Sequence, residues 1–93
     1  MSENVAETQE TPEARLKRMQ MRASRRGIKE MDIILGRYAQ DRLAGMDAQA
    51  LDLFDALLWE NDQDLYPWVS GQAQPPERFA ALLDDIARHA GAR

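Results

Sequence analysis

The chain has 93 residues, a formal net charge of −4, no cysteine and one histidine. That length fits one small domain, and the missing cysteines exclude disulfides, thiolate zinc sites, iron–sulfur clusters and cysteine nucleophiles; a single histidine argues against an all-protein zinc centre. The net charge hides a division: residues 1–13 carry four acids and no base, residues 14–45 nine bases against three acids, and residues 46–93 three bases against nine acids.

Residues 1–12 are polar and acidic with a single valine, and are expected to form a disordered tail ahead of one helical domain at 13–91. The tail lacks the basic start and apolar run of a secretory signal and the arginines of a mitochondrial presequence, which places the protein in a bacterial cytoplasm. The longest apolar run, Phe79 to Leu83, is too short to span a bilayer.

Thr11, Pro12 and Glu13 read as the start of a first helix: a capping hydroxyl, a proline in the first turn and an acid near the positive end of the dipole. It is predicted to run to about residue 24 or 25, with Leu16, Met19 and Ala23 on an apolar stripe beside a stripe of Arg15, Arg18, Arg22 and Arg26. Gly27 breaks it. A second helix follows over about 28–43 with Ile28, Met31, Ile34, Leu35 and Tyr38 inward, and Gly45 ends it. Asp47 caps a third helix that carries Ala50, Leu51, Phe54, Leu57 and Leu58 on one face. The break at 61–64 supplies further caps, and Asp62 and Asp64 are read as capping carboxylates. A short fourth helix holds Leu65, Trp68 and Val69, and Pro67 favours a late start because proline belongs in a first turn. A fifth, at about 76–90, opens on Pro76, has Phe79, Leu82, Leu83, Ile86 and Ala90 at helical spacing, and stops at Gly91. No segment alternates with period two, so the fold class is all-α: a small bundle of five short helices, four as the fallback.

Catalytic constellations are missing from the sequence. His89 reads as a surface residue near a helix C-terminus, and Asp84 and Asp85 as solvated acids. Trp59 and Trp68 could each anchor a partner, but packing is the commoner role and the reading taken, with Trp68 in the core, while Met21 lies off its stripe and reads as an exposed apolar contact. The arginines of the first helix invite a nucleic-acid reading, which the acidic total and the lack of interleaved aromatics oppose. Locally, Gly27 serves as a hinge, and as an N-cap it makes Glu30 the third helical residue, half of a capping box. Arg26 and Asp32 then simply pair or are solvated.

Arg26, Gly27, Glu30, Met31 and Asp32 spell Arg-Gly-x-x-Glu followed by an apolar residue and Asp. This segment resembles the shared motif of the SdhE-type flavinylation factors, the succinate dehydrogenase assembly factor 2 family. The resemblance runs over about 14–90: a basic helix, the motif, Tyr38 late in the second helix, a Leu/Phe-rich helix, then Asp62, Asp64, Leu65, Tyr66 and Trp68. Pro67 and the acidic tail depart from the pattern. The resemblance implies a five-helix assembly factor, not an enzyme, that binds the flavoprotein subunit of succinate dehydrogenase, or of fumarate reductase in some bacteria. It promotes covalent attachment of FAD to a histidine of that client. No cofactor is then bound tightly by the chain itself, which stays a monomer when free, without nucleic acid or membrane insertion. Arg25, Arg26, Gly27, Glu30 and Asp32, with Arg22 and Arg18 of the first helix, are the expected partner-binding residues. Gly27 would allow close backbone approach, Arg26 a forked contact with a carboxylate or phosphate, and Glu30 orientation of a client group, while the basic helix steers encounter.

Overall fold

A computed structural model describes residues 10–91; of the tail expected at 1–12, residues 1–9 lie outside the described residues, Glu10 pairs with Arg18, and Pro12 already belongs to the first helix. Five helices follow one another: α1 Pro12–Ser24, α2 Lys29–Arg42, α3 Ala48–Leu57, α4 Asp62–Ser70 and α5 Glu77–His89, with a 3-10 turn at Leu43–Gly45. Among the described residues there is no strand.

The starts of α1 and α3 follow the expected chemistry. Thr11 Oγ1 accepts from the Ala14 N–H at 3.1 Å and Asp47 Oδ1 from the Ala50 N–H at 2.8 Å, each satisfying a donor with no partner inside its helix. The second helix starts differently. Its N-cap is Ile28, without a side-chain cap, so Glu30 is the second helical residue and the capping box with Gly27 does not form. The fourth helix starts early at Asp62 and carries Pro67 inside it, against the expected late start. The proline removes one internal hydrogen bond. Leu65 and Val69, both in the core, hold the helix regardless, and Gly71 at φ 86° closes it with an N–H to the Pro67 carbonyl. Pro76 is the N-cap of α5, one place before the helix rather than in it.

The core is apolar throughout. Met19 and Ala23 of α1 meet Met31, Leu35, Tyr38 and Ala39 of α2, and Leu43, Phe54, Leu57, Leu58, Leu65, Val69, Phe79, Leu83, Ile86 and Ala87 complete it. No polar or charged side chain among the described residues is fully buried. The α1–α2 crossing is tight at Gly36, where an added Cβ would lie 3.0 Å from Ser24 Oγ and 3.5 Å from Ser24 Cα. Gln20 Nε2 donates to the Gly36 carbonyl there at 3.1 Å. Trp68 packs partly buried against the core, tilted on Phe79 at 6.5 Å. At the far end of α2, Tyr38 donates its hydroxyl to Asp85 at 2.6 Å, and burial together with that acceptor pushes its phenol above the ordinary value. His89 is not the free surface residue expected. Its Nε2 lies 2.7 Å from Asp41 Oδ2 and its ring stands edge-on to Tyr38.

The basic stripe of α1 faces acids of the same chain. Arg15 reaches Asp52 at 2.7 Å; Arg18 grips both oxygens of Asp55 at 3.1 and 2.9 Å and also Glu10 at 2.9 Å. The Arg18 guanidinium holds the Asp55 carboxyl below its usual range, against the opposing effect of burial. A carboxyl whose pKa is lower in the folded state binds fewer protons there. Its contribution is therefore complete above the unfolded pKa of about 4 and is lost as pH falls through the folded value. Thermal unfolding of the wild type and Asp55→Asn from pH 6 down to pH 2 is expected to show a stability gap that narrows with acidity. A gap constant with pH would contradict the pairing.

Candidate functional site

The linker 25–28 between α1 and α2 is fastened to the α3–α4 connection by one arginine. Arg26 Nε donates to Asp62 Oδ1, NH1 to the Leu58 carbonyl and NH2 to the Glu60 carbonyl, each at 2.8 Å. Leu58 is the C-cap of α3, so its carbonyl lacks a helical partner and the guanidinium supplies one. Asp62 turns its other oxygen to the Gly27 N–H at 2.6 Å, and Asp32 accepts from the Arg26 N–H. The Arg26 and Asp62 side chains are only 9% and 11% exposed. A charge-assisted, fork-shaped set of bonds thus pins the corner from both sides.

This divides the expected site residues into two groups. Arg26 and Asp32 are engaged within the chain: the carboxylate that Arg26 grips here is Asp62, and Asp32 accepts from the Arg26 backbone N–H. Arg18 is likewise held by Asp55 and Glu10, which corrects its placement on a free steering face. Gly27, Arg25 and Glu30 are exposed, and among the described residues Arg25 and Glu30 have no ion-pair partner. Gly27 does not take positive φ, and an added Cβ there would meet only Asp62 Oδ2, at an ordinary 3.6 Å. Neither backbone conformation nor internal packing of this chain therefore requires glycine at 27.

Arg22 has a different environment. Its guanidinium lies 4.0 Å over the Trp59 ring, and its Nε is buried with no hydrogen-bond partner. An exposed cation–π stack contributes about 0.5–1 kcal/mol, whereas an unsatisfied buried donor costs about 1–3 kcal/mol. Trp59, expected to pack, is instead 70% exposed, and Met21 is exposed as expected at 44%. Arg22, Arg25, Gly27, Trp59 and Asp62 line one groove beside the pinned corner.

The sequence reading missed Asp62 as the partner of Arg26. The segment containing it was visible, but its carboxylate was assigned to capping its own helix. The signal for Trp59 was its place after Leu58, off the apolar face and next to the polar break. Among the described residues no cluster suits a metal ion, and no helix is long and apolar enough to cross a membrane.

Comparison with known proteins follows the same residues. A family described as flavinator of succinate dehydrogenase matches residues 17–90. A mitochondrial succinate dehydrogenase assembly factor 2 from Schizosaccharomyces pombe is 35% identical over 81% of this chain and 54% of its own length. Another from Cryptococcus neoformans is 38% identical over 71% of this chain and 39% of its own. An FAD assembly factor SdhE from Francisella tularensis is 33% identical over 71% of this chain and 70% of its own. The chain spans about half the length of the fungal relatives it matches. The mitochondrial relatives overturn the expected bacterial cytoplasm, which rested on the charge of the first residues and on no contact or motif. Nothing among these relatives supports nucleic-acid binding. Motif, helix order and sequence similarity agree: the chain belongs to the family of succinate dehydrogenase flavinators.

Proposed function

We propose that this protein is an assembly factor that binds the flavoprotein subunit of succinate dehydrogenase and promotes covalent FAD attachment to it. The observation that carries the reading is Gly27. It is exposed, free of positive φ and of any tight internal neighbour, and it sits on a corner pinned by Arg26, Asp62 and Asp32. A glycine that the chain itself does not need, on a corner the chain holds rigid, suits close approach of a partner backbone. Glu30, exposed in the first turn of α2, offers a carboxylate to a client group. Arg25 adds an unpaired charge that favours encounter with an acidic surface.

The covalent bond forms in the client, and this chain, a monomer when free, supplies the docking edge. FAD stays with the flavoprotein. The sequence has no glycine-rich dinucleotide fingerprint with which to hold the cofactor itself. Fumarate reductase is a second client of the same chemistry. In cells lacking the protein, in-gel flavin fluorescence of the flavoprotein subunit is expected to fall sharply and to return with the wild-type gene. Undiminished covalent flavin would reject the proposal.

A further inference from the structure

The docking reading accounts for Gly27, Arg25 and Glu30 but leaves Trp59 and Arg22 without a use. Trp59 is one of two tryptophans, and among the described residues it is the most exposed of the large apolar side chains. Its ring is covered on one face by a guanidinium that leaves a buried N–H without an acceptor. The stack is thus a resting position with an unmet hydrogen bond, and turning Arg22 toward an incoming acceptor removes that defect. The same turn uncovers the indole face.

The charges around the groove define what fits. The Asp62 carboxylate is taken by Arg26 and Gly27, and that of Glu60 lies 4.0 Å from Arg78. Arg22 and Arg25 have no carboxylate partner among the described residues, so the unpaired charge of the groove is positive. Met21 adds an exposed apolar group to the adjoining hollow lined by Arg22, Arg25 and Arg26.

We infer that Trp59, Arg22 and Arg25 form a second anchoring point beside Gly27, which takes an acidic segment of the partner bearing an apolar side chain. The apolar group packs on the indole, and the carboxylate is taken by the two guanidinium groups. Tryptophan and arginine are the side chains most enriched where a few residues carry most of an interface's affinity. This inference rests on the flavoprotein subunit being the partner.

The test is binding of the purified chain to the succinate dehydrogenase flavoprotein subunit by titration calorimetry, with Trp59→Ala and Arg22→Gln beside the wild type. Trp59 is exposed, so its truncation leaves the core intact, and far-UV circular dichroism checks both variants. Trp59→Ala is expected to weaken binding about tenfold or more. For Arg22→Gln the expected loss is about fivefold at low salt and smaller at high salt, because screening already weakens the charge contact. Wild-type binding with Trp59→Ala within about twofold of it would overturn this inference and leave the docking reading standing. No binding by the wild type would overturn both.

Discussion

Replacement of Arg26 by alanine is expected to destabilise the domain more than any other single change outside the apolar core. The substitution removes three side-chain bonds at once, leaves the Asp62 carboxylate, which is 11% exposed, without its counter-charge and with only the Gly27 N–H, and takes the guanidinium donors from the Leu58 and Glu60 carbonyls. Leaving one partner of a buried pair without its counter-charge costs about 3–5 kcal/mol. Small domains sit near the low end of the usual range of about 5–15 kcal/mol. At about 4–8 °C per kcal/mol for a chain of this size, the midpoint of thermal unfolding should fall by more than about 12 °C. Arg26→Lys should recover part of the loss, since it keeps the charge and gives up the fork. A midpoint for Arg26→Ala within about 4 °C of wild type would show that these bonds do not hold the corner. Loss of flavinylation in this variant would report unfolding, so it is no test of docking.

Replacement of Gly27 by arginine is expected to do the opposite: leave the fold and abolish the function. Position 27 has no positive φ, and a Cβ there meets Asp62 Oδ2 at an ordinary distance, so a side chain can point outward without strain. The thermal midpoint should stay within about 4–8 °C of wild type, equivalent to about 1 kcal/mol. Binding to the flavoprotein subunit should nevertheless be lost, because a long cation then occupies the space the partner backbone needs. Glu30→Ala tests the same edge without added bulk. Its stability cost is the loss of a carboxylate near the positive end of α2, about 0.3–1 kcal/mol. Its flavinylation yield should fall well beyond what that permits. If either variant unfolds, position 27 or 30 is a structural element of the corner and the division between inward and outward residues is wrong there.

The contrast between Arg26 and Gly27 shows where the sequence was legible. Helix identity came from patterns local to each segment: Thr11 before Pro12, Asp47 before Ala48, and the spacing of Phe79, Leu83 and Ile86. Those patterns depend on neighbours within a turn, so they survive without knowledge of the fold. The pairing of Arg26 with Asp62 spans 36 positions, and nothing local distinguishes a carboxylate that caps its own helix from one that crosses to another. The same holds for Arg18 and Asp55, 37 positions apart. As a result three arginines of the basic stripe, Arg15, Arg18 and Arg26, which read as part of an open steering face, are paired with acids from the later half of their own chain. Pro67 shows the reverse error: a strong local rule was overridden because Leu65 and Val69 bury on either side of it. The motif at 26–32 was legible as a unit, but not the direction in which each of its side chains points.

The most direct measurement is reconstitution with purified components. The flavoprotein subunit, produced free of covalent flavin, is incubated with FAD, with or without this chain, and covalent flavin is followed with time by in-gel fluorescence. A clear acceleration by the wild-type chain, absent with folded Gly27→Arg, is the expected result. Identical time courses with and without the wild-type chain would contradict the account.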